Sequence, residues 1–422
     1  EVKTLLILDG NPVYDAPADL DFGGALGKVE FSLHLGTHRD ETSARTTWHV
    51  PLSHPFEAWG DARSGDGTYA VQQPLIAPLH ESQSVVQVWG AAATGAPVDA
   101  HAFVKTTFSD LHTGAGNPPL LDIDDRWNQA LHAGALGGIG RFPEETKELL
   151  PEKVSEAVRA GLASRGGALS ASNLEVTFAS CAKMGAGEMA NNPWLLELPD
   201  GLAKVTWDNV AFVSPKTAKE LGVKGDPKRS DVVRISRKGA KDIDVALWEL
   251  PGHADHSITL TLGWGRTRAG RYGNGQGFDV YPLRTTDGFD FADGATLKAT
   301  GRNYFVSQTQ EHGSMEGRAI VLENTVAGYR ENPEFASYDA VEMPVPPLWK
   351  EVDYSEGHKW GLSIDLTTCT GCNACVIACQ AENNLPNVGK RQVAKGREMY
   401  WIRIDRYFVG DDADNPQVAI QP

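Results

Sequence analysis

Four of the chain's five cysteines fall close together, as Cys369-Thr370-Gly371-Cys372-Asn373-Ala374-Cys375-Val376-Ile377-Ala378-Cys379. This C-x2-C-x2-C-x3-C run has the spacing of cubane iron–sulfur binding. Three thiolates on a tight loop can reach three irons of one cluster, and Gly371 lets the backbone wrap without a Cβ clash. The fourth cysteine of such a run ordinarily serves a different cluster, because the chain has by then turned into a helix, expected here over 376–382. One motif therefore implies at least two clusters. A structural zinc site favours two separated C-x2-C pairs, and disulfides among cysteines this close would be strained, so iron–sulfur is the favoured chemistry. The fifth cysteine, Cys181, reads as a small buried hydrophobe. The remaining cluster ligands are expected beyond Pro422 or in another chain.

Other chemistry-bearing residues carry weaker signals. His253 and His256, beside Asp255, and His312, beside Glu311, have no third metal ligand at helical spacing and read as loop or capping residues. Arg266, Arg268 and Arg271 stand among Gly263, Gly265, Gly270, Gly273, Gly275 and Gly277, a stretch able to cradle phosphates. No GKS/T or GxGxxG helix start accompanies it, and a flexible barrel loop explains it equally well. The stretches 40–43 and 59–62 read as loops without a Ser-His-Asp or paired-carboxylate arrangement.

The elements that position the cysteines belong to a chain of 422 residues, long enough for two or three domains. Its 41% hydrophobic and 22% charged residues are those of an ordinary globular protein. A net charge of -16 repels phosphates and argues against a nucleic-acid role; it would favour basic partners such as a cytochrome, although a solvated acidic surface with no partner is the commoner explanation. No stretch approaches the roughly 20 apolar residues of a membrane-spanning helix. The opening Glu1-Val2-Lys3-Thr4-Leu5 reads as the middle of a folded domain, with the true N-terminus expected upstream.

Along the chain, the first hundred residues suggest α/β structure, with strands ending at Asn11-Pro12 and over 29–35 and a helix after Ser82. Residues 134–138 look like a loop, and 144–163 carry helical spacing. Short strands over 204–212, 231–236, 244–250 and 257–262 suggest a small β-barrel, interrupted by a helix over 214–222 with a Ser cap, Pro in its first turn and Gly at its end. Met343-Pro344-Val345-Pro346-Pro347 reads as an extended linker. The expected division is an α/β domain over 1–95, a helical or loop insertion over 96–190, a barrel over 191–342, a linker over 343–358 and an iron–sulfur domain over 359–422.

Ile364-Asp365-Leu366 before the cysteines and Gln380-Ala381-Glu382-Asn383-Asn384 after them resemble the first ligand motif of the four-cluster ferredoxin subunits that accompany molybdopterin oxidoreductases. Gly389-Lys390, Gly396-Arg397-Glu398-Met399 and Trp401-Ile402-Arg403-Ile404-Asp405-Arg406-Tyr407 resemble the variant in the B subunit of bacterial alternative complex III. That family fuses a molybdopterin-oxidoreductase-like half to a ferredoxin half. Residues 35–43, 54–62 and 73–79 look like the later part of a molybdopterin domain, and Asn192-Pro193-Trp194-Leu195 and 273–284 are similar to its C-terminal double-psi β-barrel.

The resemblance implies three [4Fe–4S] clusters and one [3Fe–4S] cluster, most of their cysteines outside this chain, and a molybdopterin-like half without its cofactor. Cys369, Cys372 and Cys375 would hold one [4Fe–4S] cluster and Cys379 would join a second. It also implies an electron-relay subunit with no bond-making active site, in a quinol-oxidising complex on the periplasmic side of a bacterial inner membrane. The implied partners are an integral-membrane quinol-binding subunit and a multihaem cytochrome c. Lys390, Arg391 and Lys395 could raise a cluster potential, or form a solvated basic loop. The alternative is a catalytic molybdopterin-dependent reductase with a fused iron–sulfur relay, distinguished by its molybdenum.

Overall fold

The computed structural model describes residues 2–114, 123–137, 149–163, 167–336, 348–350, 352–412 and 414–422. The proline-rich stretch 343–347, the residue at 138 and the 144–148 start of the expected helix lie outside the described residues.

The apolar run at the N-terminus forms β1 (Thr4–Leu8), which pairs in parallel with β2 (Phe31–Gly36), itself parallel to β3 (Trp48–Pro51). Parallel strands need crossover connections, and short helices at Pro12–Asp15 and Phe22–Leu26 occupy the first of them. A second sheet is antiparallel: β4 (Gly60–Arg63), β5 (Tyr69–Gln72) and β6 (Ala135–Leu136). Helices Val85–Thr94, Ala100–Gly114 and Ile123–Ala133 accompany it, and Tyr69, Val104, Phe108, Trp127 and Ala130 form a shared core. Ser84 starts the first helix with a capping box, its hydroxyl accepting from the Gln87 amide at 3.1 Å.

Part of the expected insertion over 96–190 packs with this sheet. Its first helices complete the core of a sheet begun before residue 95, and the expected loop at 134–138 supplies β6, because the open edge of β5 offers it backbone partners. Its end belongs to the barrel: β7 (Leu174–Ala179) alternates buried and half-buried residues, the period-two pattern of a half-covered strand. The helix Pro151–Ala163 has no buried residue.

The short pair β8 (Val205–Thr206) and β14 (Ser307–Gln308) flanks a closed six-stranded barrel. The barrel comprises β7, β9 (Ala211–Val213), β10 (Ser230–Ser236), β11 (Ile243–Glu249), β12 (Ser257–Thr261) and β13 (Phe291–Tyr304), in the order β10-β11-β9-β12-β7-β13. Two of its pairings, β9 with β11 and β7 with β12, are parallel. Inward residues such as Val176, Val213, Val233, Val245, Ile258 and Leu260 fill the interior. The single strand expected over 204–212 is broken, because Lys204 and Trp207 adopt left-handed backbone that cannot continue a pleat. The 214–222 helix forms at Pro215–Leu221, with the Ser214 hydroxyl accepting from the Thr217 amide and Gly222 left-handed at its end. Ile258 is fully buried, so Ile258→Val is expected to cost about 0.5–1.5 kcal/mol in chemical denaturation; no loss would mean the interior tolerates a void. The chain ends in the cysteine helix Ala374–Glu382, a turn of helix at Lys390–Val393, and a hairpin of β15 (Asp405–Val409) and β16 (Gln417–Gln421).

Candidate iron–sulfur site

The loop before the cysteine helix is built from local bonds. The Asp365 carbonyl accepts from the Cys369 amide at 3.0 Å, and the Asp365 carboxylate accepts from the Thr367 amide at 2.9 Å. Gly371 and Asn373 are both left-handed, and these two reversals turn the chain around Cys372 into the helix. Cys375 and Cys379 lie four residues apart on one face, whereas Val376 and Gln380, about 100° round the helix from them, are buried. Cys372 and Cys375 are exposed, and Cys369 and Cys379 are partly so. The Asn383 side-chain amide lies 3.6 Å from the Cys379 sulfur, a donor suited to a thiolate.

Among the described residues, no three His, Cys, Asp or Glu side chains are gathered as a metal site. The fit therefore rests on the donors: accessible thiols on a loop that two left-handed residues bend, the kind of ligand that iron–sulfur clusters take. Cys369, Cys372 and Cys375 would hold one cluster and Cys379 would serve another.

Segments flanking the barrel, over 194–208 and 304–310, support this stretch. Val376 packs with Leu198 and Ile404. Lys204, fully buried, donates to the Ile404 carbonyl at 2.7 Å, and burial pulls its ammonium down to about 8. Gln310 grips Arg406 by both backbone groups, accepting from its amide at 3.0 Å and donating to its carbonyl at 2.7 Å. Lys390 is no solvated basic residue: its ammonium lies 2.6 Å from the buried Asp208 carboxylate and 2.8 Å from the Tyr304 hydroxyl. A lysine inside an apolar run, Lys204 in 202–206, was the one sequence signal of this interface.

In the arginine-rich loop, the Arg266 side chain and the Thr267 and Arg268 amides are already occupied by protein. The Glu41 carboxylate accepts from the Arg266 guanidinium at 2.8 and 3.0 Å, from the Thr267 and Arg268 amides at 2.8 Å each, and from Asn11 at 2.8 Å. These donors are spent on tying the N-terminal sheet to the barrel, so they do not fit a free phosphate cradle. Burial pushes the Glu41 carboxyl up, but the hydrogen bonds and charge of Arg266 outweigh it and hold the group at about 2. A depressed carboxyl stabilises the fold above its ordinary value near 4.5 and loses that contribution as pH falls toward 2. Glu41→Gln is expected to cost about 1–3 kcal/mol at pH 7 and to flatten the acid limb of a stability-against-pH profile; an unchanged limb would remove Glu41 from the acid response.

The remaining candidates are used locally. His253 bonds Thr259 at 2.9 Å, His256 bonds Glu220 at 2.8 Å, and His312 lies 3.9 Å from Glu316. Cys181 is buried among Met184, Trp207 and Trp264. A cavity of about 550 Å³ opens between the N-terminal sheet and the barrel, lined by residues including Tyr14, Arg45, Lys241, Arg268 and Asp279. Burial, with a contribution from the charge of Glu41, lifts the Asp279 carboxyl to about 7.

Comparison with known proteins adds two relatives from one organism. Over 27 residues, 6% of this chain and 11% of the relative, it is 70% identical to the menaquinone reductase iron-sulfur cluster-binding subunit of Nitratidesulfovibrio vulgaris. Over 287 residues, 67% of this chain, it is 22% identical to the menaquinone reductase molybdopterin-binding-like subunit of the same organism. The chain is thus similar to two subunits of one reductase. It spans 38% of the length of the second relative and 11% of the first. No protein-family model matches it. Acetylene hydratase from Pelobacter acetylenicus superposes with a TM-score of 0.42 at 12% identity, covering 70% of this chain and 44% of that one. Among the described residues, no helix is long and apolar enough to cross a membrane.

Proposed function

We propose that this chain is an iron–sulfur electron-transfer subunit of a quinone-linked respiratory complex of the alternative complex III type. Cys369, Cys372 and Cys375 hold one [4Fe–4S] cluster and Cys379 joins a second, whose other ligands lie outside 1–422, as do those of a [3Fe–4S] cluster. One observation carries the reading: the four cysteines stand exposed or partly exposed on a bent loop and the helix that follows it, and that helix is anchored by Val376 packing on Leu198 and Ile404. A cluster there would supply one-electron transfer. The chain's own part is to hold the thiols on a rigid support and to keep their amide and charge surroundings constant, which is how a protein sets a cluster potential.

The barrel, proposed to be of the double-psi kind, and the N-terminal sheet form a molybdopterin-oxidoreductase-like half without cofactor that serves as this support. Residues 359–422 are the start of a ferredoxin-like domain. Similarity to two menaquinone reductase subunits supports both the cluster and the quinone link. The proposed setting is the periplasmic side of a bacterial inner membrane, beside an integral-membrane quinol-binding subunit and a multihaem cytochrome c.

A catalytic molybdopterin-dependent reductase is the second reading, favoured by the cavity beside Asp279 and Arg268. Iron, sulfide and molybdenum analysis with low-temperature EPR on the intact complex separates the two. Clusters without molybdenum are expected. Stoichiometric molybdenum would move the assignment to the catalytic reading, and absence of iron and sulfide would end both.

A further inference from the structure

The stretch from Trp194 to Gly201 meets the iron–sulfur segment on both sides of the cysteine helix. Before the helix, the Asn373 side-chain amide donates to the Pro199 carbonyl at 2.9 Å, and Gly201 lies so close to the Gly371 carbonyl that an added Cβ would stand 3.2 Å from it. Within the helix, Val376 packs on Leu198. After it, the Trp194 indole donates to the Leu385 carbonyl at 2.7 Å.

The most directional of these contacts belong to Glu197, the last residue of the helix Pro193–Glu197 and 1% exposed. Its carboxylate accepts from two consecutive amides, Val388 at 3.1 Å and Gly389 at 2.7 Å, and from the Trp207 indole at 3.2 Å. Its carbonyl accepts from the Tyr400 hydroxyl. Apolar packing alone can slide. Two adjacent amides on one carboxylate fix both the position and the direction of the chain leaving the cysteine helix.

We propose that Glu197 is the positioning residue of the cysteine helix, acting through Val388, Gly389 and Tyr400, and that its buried charge sets how readily a cluster there is reduced. The inference rests on the iron–sulfur reading. The charged groups around Glu197 do not cancel it. Glu398, a like charge that pushes the Glu197 carboxyl up, pairs with Arg403 at 3.4 Å, and Lys390 is paired with Asp208. Burial pushes the Glu197 carboxyl up while the amides of Val388 and Gly389 pull it down. Glutamine in its place keeps an oxygen for the Gly389 amide and removes the charge; alanine removes both.

The test compares full-length wild type, Glu197→Ala and Glu197→Gln by hydrogen exchange over 372–393, and by EPR line shape and midpoint potential after anaerobic reconstitution with iron and sulfide. In Glu197→Ala the Val388 and Gly389 amides should lose protection and the EPR line shape should change. Glu197→Gln should restore both, with a midpoint potential shifted upward. Wild-type exchange and line shape in Glu197→Ala would overturn the proposal. If Glu197→Ala does not fold, Glu197→Gln decides: wild-type exchange with a raised potential supports it, and an unmoved potential overturns it. Wild-type protein that takes up no iron or sulfide would sink the iron–sulfur reading instead, and exchange on that cluster-free protein would still decide the positioning.

Discussion

Cys372→Ala is expected to remove one cluster from the protein while leaving the fold intact. Cys372 is exposed and packs into no core, so the substitution should change the stability of cluster-free protein by less than about 0.5 kcal/mol. Its thiolate is one of the three on the 369–375 loop, and alanine offers no replacement donor. Iron and sulfide in the complex should fall by one cluster's content, with loss of one EPR signal. Cys379→Ser should remove a different signal, because that residue lies a full turn along the helix from Cys375. If Cys372→Ala and Cys379→Ser abolish the same signal, the assignment of the four cysteines to two clusters is wrong. Unchanged iron in both would show that the run binds none.

Lys390→Met should destabilise the union of barrel and iron–sulfur segment by about 3–5 kcal/mol near neutral pH, because it strands a charge that the fold has already buried. The Asp208 side chain is 1% exposed and lies 2.6 Å from the Lys390 ammonium. The Tyr304 hydroxyl is its other partner, at 2.9 Å. Burial lifts the Asp208 carboxyl from 3.8 to about 6 even against the pull of Lys390. The native state therefore holds the Asp208 proton more tightly than the unfolded chain, and this residue's contribution to stability declines as pH rises from about 4 to 6. Without Lys390 the carboxyl rises further and the decline extends to higher pH. The cost of Lys390→Met should thus be largest above pH 6 and shrink toward pH 4. Thermal unfolding across that range measures it. The double variant Asp208→Asn with Lys390→Met should recover much of the loss, since no buried charge remains. A cost independent of pH, or one the double variant does not relieve, would assign the effect to lost packing of the lysine stem.

The two substitutions probe features of different visibility in the chain. The cysteine run is legible because its chemistry depends on neighbours a few residues apart, and the same holds for the capped helix Pro215–Leu221, whose Ser, Pro and Gly signals are contiguous. The barrel strands at 231–236, 244–250 and 257–262 were legible from their turn spacing, as Ser230–Ser236, Ile243–Glu249 and Ser257–Thr261 show. Less visible was β13, Phe291–Tyr304, where polar residues and an irregular register between Ala292 and Ala295 obscure the alternation.

By itself, then, the sequence determined the cysteine spacing, the bend at Gly371 and the existence of a strand-rich domain, since each follows from local spacing and backbone preference. Only the tertiary structure decided which distant groups meet. Glu41 and Arg266 are 225 positions apart, and Glu197 and Gly389 are 192. Whether Lys390 is a solvated cation or half of a buried pair depends on barrel closure bringing Asp208 beneath it. Such pairings arise when a closed sheet removes charges from water, and a carboxylate or ammonium then takes whatever partner the fold has placed within reach.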